Sequence, residues 1–436
     1  MDMREDSRER AEVRVSLLRR HRDFRRLWTG ETISVFGTRM GDVAVSFAAV
    51  IALGATPLQM GMLAAARLVP KLIFSLVAGV WVDRVRRRPL MIGADLGRFA
   101  LLATIPLAAM LGHLEMKYLY PVILIVGLLD LLFDVAYGAY LPSLVDASDV
   151  VEANSKLSAS YAAAEVGGFA IAGWLVQILT APYAILVDAL SFIASAVAIR
   201  SIEKPELEIA PGRRQRSFFH EAREGIGVMV ADRRLYALTA INGIAGLGFA
   251  TFSTLYMLFV VDELRFRPGP LGVIFAVGGV SSLISSIAAP NIIRRIGEGR
   301  GFAIGLALQG ASWICVPAAR GATMLAALLL IAQQLFGDAG GTVALISGQT
   351  ILQILVPTRM LGRVRATISF VALASMIVGS IGAGLLAEFV GIRPVMYAGA
   401  IGLALAGASL ALSSVWSVSA TDRAIALPEE VKATAG

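Results

Sequence analysis

Twelve apolar stretches, each near or above the ~20 residues a helix needs to cross a hydrocarbon layer, dominate this chain. They occupy residues 28–53, 58–82, 90–111, 118–143, 154–179, 182–200, 235–261, 271–292, 301–319, 323–349, 363–389 and 393–416. The chain is 57% hydrophobic and 16% charged, whereas soluble domains carry about 25% charged residues. A water-soluble fold of 436 residues has too few core positions for so much apolar surface. Lipid accommodates it, provided each segment satisfies its own backbone as a helix. The expectation is an all-α integral membrane protein with twelve transmembrane helices.

Connections between the segments are short, except for 201–234, which is polar and contains Pro205, Pro211 and Gly212. It separates an N-terminal six-helix bundle, 27–200, from a C-terminal one, 235–416, with tails at 1–26 and 417–436. The hydrophilic N-terminal tail has no apolar core before a small-residue cleavage site, and so reads as a cytosolic segment rather than a signal peptide. Of the 39 lysines and arginines, 30 fall on one side if the N-terminus is cytosolic. Five fall on the other side (Lys117, Arg265, Arg267, Arg320 and Arg393), and four lie within spans. That asymmetry predicts a multi-pass protein of a bacterial inner membrane with both termini cytosolic. It also assigns the net charge of +7 to topology rather than to nucleic acid. Cys315 is the single cysteine, which excludes an intrachain disulfide and a cysteine metal cluster. The three histidines lie in polar or connecting segments. No metal or other cofactor is expected, and no nucleophile–base constellation points to an enzyme.

An offset of 211 residues brings the halves into register. Segment 144–175 aligns without a gap on 355–386, matching Leu144 with Leu355, Ser158 with Ser369, Gly168 with Gly379 and Gly173 with Gly384. The same offset sets Asp83-Arg84-Val85 opposite Arg294-Arg295-Ile296. Two six-span halves in one orientation imply parallel repeats about an axis along the membrane normal, with a substrate path between them.

After the second span the sequence runs GVWVDRVRRRP, 79–89. Its Gly79, Asp83, Arg84, Arg87 and Arg88 resemble the signature loop of major facilitator superfamily transporters, with Arg86 where glycine is usual. The stretches FRRLWTGETISVFGTRMGDVA (24–44), LPSLV…ANS (141–155) and VPTRMLGRVRATIS (356–369) resemble the bacterial exporter branch that includes enterobactin and macrolide exporters. The resemblance covers about residues 20–415. It implies the major facilitator fold and a central cavity lined in the N-terminal half by spans 1, 2, 4 and 5. It also implies a loop aspartate, here Asp83, set against the start of span 11 near Gly362–Arg365 when the cytosolic side closes. Two features depart from proton-driven members. Span 4 reads GLLDLLFDVAYG in place of an Arg-x-x-Gln/Gly motif, and span 5 reads GGFAIAG with Phe169 at the place of a proline.

Ionisable groups at mid-membrane are costly unless paired or wet, so each is a candidate functional residue. Arg39 and Asp42, Arg67 and Lys71, and Asp130 and Asp134 share helical faces by their three- or four-residue spacing, and Glu165 lies in span 5. Two readings stand side by side: structural ion pairs that hold the bundle, and a proton-coupling or cation-binding set. The C-terminal half offers Asp338 with Asn242, Gln333 and Gln334 as substrate-cavity candidates. Asp188 and Glu388 read as interfacial, and Asp95 with Arg98 as a support for the signature loop.

The combined expectation is a secondary transporter that exports a small organic molecule (drug, macrolide or siderophore-like) by alternating access with proton antiport, working as a monomer. The alternatives are a proton-coupled uptake symporter and a transport-inactive membrane sensor. The arginines of 84–88 are explained by topology, whereas Asp83 is not, because acids contribute little to orientation. Asp83→Asn is expected to leave membrane insertion intact and to abolish or severely slow transport. Flux assayed at matched membrane levels checks this, and normal flux would reduce the loop to a topology signal.

Overall fold

The computed structural model describes residues 16–82, 84–206, 227, 229–230 and 232–419. Local polar signals start several of its helices. Thr56-Pro57-Leu58-Gln59 forms a reciprocal capping box: Gln59 N donates to Thr56 Oγ1 at 3.3 Å and Thr56 N donates to Gln59 Oε1 at 3.0 Å. Proline at the first helical position costs no hydrogen bond there. Thr323 similarly accepts from Ala326 N at 3.1 Å.

Twelve long helices follow in order among the described residues. In the first half they are α1 (Arg22–Phe47), α2 (Pro57–Val82), α3 (Arg87–Met110), α4 (Met116–Leu144), α5 (Val150–Leu179) and α6 (Ala181–Arg200). In the second they are α7 (Arg233–Leu258), α8 (Pro268–Ile296), α9 (Glu298–Trp313), α10 (Met324–Leu355), α11 (Thr358–Val390) and α12 (Ile392–Ser409). Eleven of them, some with short extensions, are long and apolar enough to span a membrane. The twelfth, α2, has 26 residues and is about 39 Å long at 1.5 Å per residue. Several helices outrun the apolar stretches that announced them. α5 starts at 150 and α11 at 358, because their polar first turns project beyond the hydrocarbon.

The 211-residue repeat is physical. α1 ends in a π-helical turn at Ala48–Ala52 and α7 in one at Phe259–Glu263, so even this irregularity recurs at the same offset. The halves meet through α5 on α8 and α2 on α11. At both seams a glycine brings backbones together. A Cβ on Gly173 would lie 2.4 Å from the Pro268 carbonyl, and one on Gly384 would lie 2.5 Å from the Pro57 carbonyl. One turn further on, each helix caps its partner's N-terminus. Gln177 Oε1 accepts from Gly269 N at 2.9 Å. Glu388 Oε1 accepts from Thr56 Oγ1 at 2.7 Å and Leu58 N at 3.4 Å. Pro57 and Pro268, Leu58 and Gly269, Gly173 and Gly384, and Gln177 and Glu388 are all repeat-equivalent.

These seams lie at the face opposite the described chain ends. Apolar packing follows the same division. One buried cluster joins the halves near that face, bringing Met60, Leu63, Ala172 and Val176 together with Leu271, Ile274, Ala383 and Ala387. Toward the face bearing the chain ends the cores are separate: Leu17, Phe24, Tyr140 and Leu157 belong to one half, and Leu235, Leu352, Val356 and Val364 to the other. Among the described residues the halves are therefore packed together at the opposite face and parted at the terminal face.

The α5–α6 turn holds Thr180 at φ 74°, ψ 161°, a region that is essentially glycine's. Its repeat-equivalent is Gly391, at φ 89°, ψ 161°. Thr180→Gly is expected to raise thermal stability by about 1 kcal/mol through relief of this strain. Thermal unfolding of the purified protein checks it.

Candidate functional site

Helical periodicity gathers the intramembrane charges of the first half around one cavity of about 200 Å³, lined by α1 to α5. On α1, Glu31, Arg39 and Asp42 turn toward it; α2 supplies Arg67 and Lys71, α4 supplies Asp130 and Asp134, and α3 supplies Arg98. Burying such groups without partners costs several kcal/mol each, and the cations are each met by a carboxylate. Arg39 Nε lies 3.1 Å from Glu165 Oε2, and Lys71 Nζ lies 3.6 Å from Asp134 Oδ2. Arg67 pairs with Asp42 and reaches Asp130 Oδ2 at 3.8 Å. Asp130 is the hub, because its other oxygen takes Arg98 Nη1 at 3.0 Å.

Arg98 also pairs with Asp95, and its guanidinium carbon sits 4.4 Å and 4.2 Å from the ring centroids of Phe133 and Phe192. Two carboxylates and two aromatic faces satisfy its charge and its planar surfaces. This corrects the expectation that Asp95 and Arg98 support the signature loop. Both are buried, and they belong to the charge network. Asp130 and Asp134, like charges one turn apart, are each offset by cations: Asp130 shares Arg67 and Arg98 with other carboxylates, and Asp134 has Lys71.

One carboxylate went unrecognised in the sequence and another was misplaced. Glu31 is buried and accepts from Tyr161 Oη at 2.8 Å, while its second oxygen has no partner. Its eight- and eleven-residue spacing to Arg39 and Asp42 was the available signal, masked by its place near the start of the first apolar stretch. Asp188, expected at the interface, is instead 4% exposed and packed against Gly37 and Gly41 of α1. Short α6 crosses where α1 has no side chains, which carries residue 188 into the interior. Glu388 is exposed near the end of α11, as expected of an interfacial residue, and additionally bridges the halves. With these additions the described residues of the first half hold seven intramembrane carboxylates (Glu31, Asp42, Asp95, Asp130, Asp134, Glu165 and Asp188) and four cations.

The second half is sparser. Asp338 and Gln334 both pack toward Gly278 of α8, and the charge that Asp338 faces is Glu165 across the seam. Asn242 Nδ2 donates to the Leu238 carbonyl at 2.8 Å. Gln333 is separated from this group: it lies on the α9 side of α10, beside Gly337, Ser312 and Trp313.

At the terminal face the signature loop is tied to its own half. Glu206, just past α6, caps α3 by accepting from Arg87 N at 2.6 Å and Arg88 N at 3.4 Å, a favourable place for a carboxylate. Arg87 Nη1 donates to the Ala139 carbonyl at 3.1 Å and Arg88 Nη2 to the Arg200 carbonyl at 2.5 Å. Neighbouring Glu203 is hydrogen-bonded by Arg26 at 2.8 Å, which holds its carboxyl below the usual carboxylate range. Arg84 is exposed, and a Cβ at Gly79 or Gly362 would meet nothing within 4 Å. Asp83, the expected latch, lies outside the described residues.

Arg98→Met is expected to destabilise the fold by about 3–5 kcal/mol, because it leaves Asp95 buried without its cation and Asp130 with only the more distant Arg67. Adding Asp95→Asn should recover part of that loss. Thermal or denaturant unfolding of the single and double variants checks both.

The chain's relatives share this architecture. The model of a family described as transmembrane secretion effector, of the major facilitator type, matches residues 16–432. Macrolide efflux protein A of Streptococcus pyogenes is 21% identical over 245 residues, which make up 56% of this chain and 60% of that protein. The MFS-type transporter YfiS of Bacillus subtilis (strain 168) is 24% identical over 86% of this chain and 89% of its own. Among solved structures, the nucleoside transporter NupG superposes with a TM-score of 0.74 at 11% identity, covering 89% of this chain and 98% of that one. A bacterial homologue of the iron transporter ferroportin, in its inward-facing state, gives 0.74 at 18% identity, covering 92% and 100%. The protein belongs to the transmembrane secretion effector family of major facilitator superfamily secondary transporters.

Proposed function

We propose that this transporter exports a small organic molecule from the cytosol, drawing on proton entry as its driving force. The observation that carries the reading is the charge inventory of the first half. Seven carboxylates accompany four cations among the described residues, and Glu31, Asp42, Asp130 and Asp134 line the cavity itself, so the set holds more acid than its own arginines and lysine neutralise. A surplus of that kind can take up protons or a cationic group, whereas a purely structural network requires balance. The second half carries fewer intramembrane charges, which suits an apolar or amphipathic cargo.

The basic asymmetry of the loops makes the terminal face the cytosolic one, and the parted state is then inward-open and ready to load cargo from the cytosol. The efflux named in the macrolide efflux relative agrees with export as the direction. A monomer suffices, since both halves of the path come from one chain.

The test uses everted vesicles energised to an acid interior and a pH-sensitive dye. Macrolides, cationic dyes and siderophores serve as separate probes. Export by antiport predicts that a transported probe dissipates the gradient. Asp134→Asn, at a half-wet carboxylate, should reduce that response by about tenfold, equivalent to roughly 1.4 kcal/mol. A probe whose accumulation does not respond to the gradient, or that moves out of everted vesicles with protons, would overturn the reading.

A further inference from the structure

Asp188 has no function in the ion-pair network, and its surroundings explain why. It projects from α6 into a slot cut in α1 by two glycines. A Cβ on Gly41 would lie 1.9 Å from Asp188 Oδ2, and one on Gly37 would lie 2.9 Å from Asp188 Oδ1 and 2.1 Å from Ser191 Oγ. No cation lies within ion-pair distance of Asp188 among the described residues. Asp188 Oδ1 and Ser191 Oγ are both enclosed without a hydrogen-bond partner. Between the carboxyl and α1 there is no room for a further group.

The charged groups around it are already committed. From α1 it faces Asp42, and beyond that Arg67 of α2 and Asp130 of α4; these three are bound to one another. From α3 it faces Arg98, which is held by Asp95 and Asp130. From α5, which also packs on α6, Glu165 is turned to Arg39. Asp188 therefore feels two like charges at Asp42 and Asp130, while both nearby guanidiniums are taken. An ionised carboxylate in such a place is not compensated, and a bound proton removes that charge without needing further room.

We propose that Asp188 is a proton-binding site of the transporter, occupied in this state closed at the opposite face and emptied when α1 and α6 repack. The event is an O–H bond made and broken at one carboxyl oxygen, with water on the releasing side as acceptor. Because the carboxyl fills the slot in α1, losing the proton there favours any rearrangement that admits water or brings Arg67 closer. Protonation thus has different free energies in the two states, which is what coupling requires. The inference rests on the proton-antiport reading only for the proton's role in transport. Its presence on Asp188 stands separately.

The experiment is infrared difference spectroscopy of the purified protein in lipid nanodiscs during stepwise alkalinisation. The expected result is a protonated-carboxyl C=O band that disappears on alkalinisation and shifts in heavy water. It should be missing from Asp188→Asn and retained in Glu31→Gln and Asp134→Asn. Ser191→Ala should shift its frequency, because the Ser191 hydroxyl and Asp188 Oδ1 crowd the same glycine of α1, Gly37. If Asp188→Asn does not yield monodisperse protein, the Ser191→Ala shift decides. A band that survives Asp188→Asn, or is unmoved by Ser191→Ala when that is the deciding variant, overturns the proposal. Vesicle flux measured in parallel separates the two ideas: flux indifferent to the pH gradient with the band still assigned to Asp188 removes antiport and leaves the site.

Discussion

The shared carboxylate of Asp130 is the contact on which the first half depends. It joins Arg67 of α2 to Arg98 of α3, and through their other partners it reaches α1 and the aromatic ring that α6 contributes. In a hydrocarbon surround, apolar packing gives little preference for one helix neighbour over another, since lipid tails are as apolar as leucine. Charge is different. A guanidinium stranded in lipid is expensive, so the positions of four cations dictate which helices must touch and in what rotation. The bundle's geometry is the arrangement that leaves no cation alone.

The seams between halves obey another economy. Each is a glycine at van der Waals contact with the other half's backbone, followed one turn later by a side-chain oxygen that accepts from a helix N-terminus. The repeat supplies the device twice, with a neutral amide at Gln177 and a carboxylate at Glu388. Helix N-termini carry partial positive charge, so the Glu388 copy binds more strongly than the Gln177 copy. Sequence duplication thus yields a two-point clasp with unequal halves.

The sequence made the helices and their pairing into halves legible, since length and apolarity decide spanning segments almost alone. The repeat was visible at Gly173 and Gly384, and it correctly paired regions whose contacts no propensity could specify. The charge network was half legible. Arg39, Asp42, Arg67, Lys71, Asp130, Asp134 and Glu165 announced themselves by charge at mid-span. Their partners did not, because pairing depends on rotation about helix axes. Asp188 was misplaced for a related reason: depth along one helix says nothing about whether a neighbour offers side chains or a glycine slot. Gln333 and Gln334, adjacent in sequence, were grouped together although a helix turns them about 100° apart. That rotation alone separates a residue beside Asp338 from one packed against α9.

The distribution of charge between the halves carries the last step. Proton-responsive groups need low-dielectric surroundings and nearby charges to respond to, whereas a cargo of variable shape needs a wall that does not fix it by ion pairs. One half cannot meet both demands, because a cavity crowded with paired charge binds only what complements it. Here α1 to α6 hold the dense network, and α7 to α12 carry Asp338 and amides instead. Glu165 stands where the two meet, paired to Arg39 within its own half and facing Asp338 across the seam. Two carboxylates set on either side of a seam repel when both are ionised. Glu165 and Asp338 therefore make this seam a place where the electrostatics of the two halves meet instead of staying within each half.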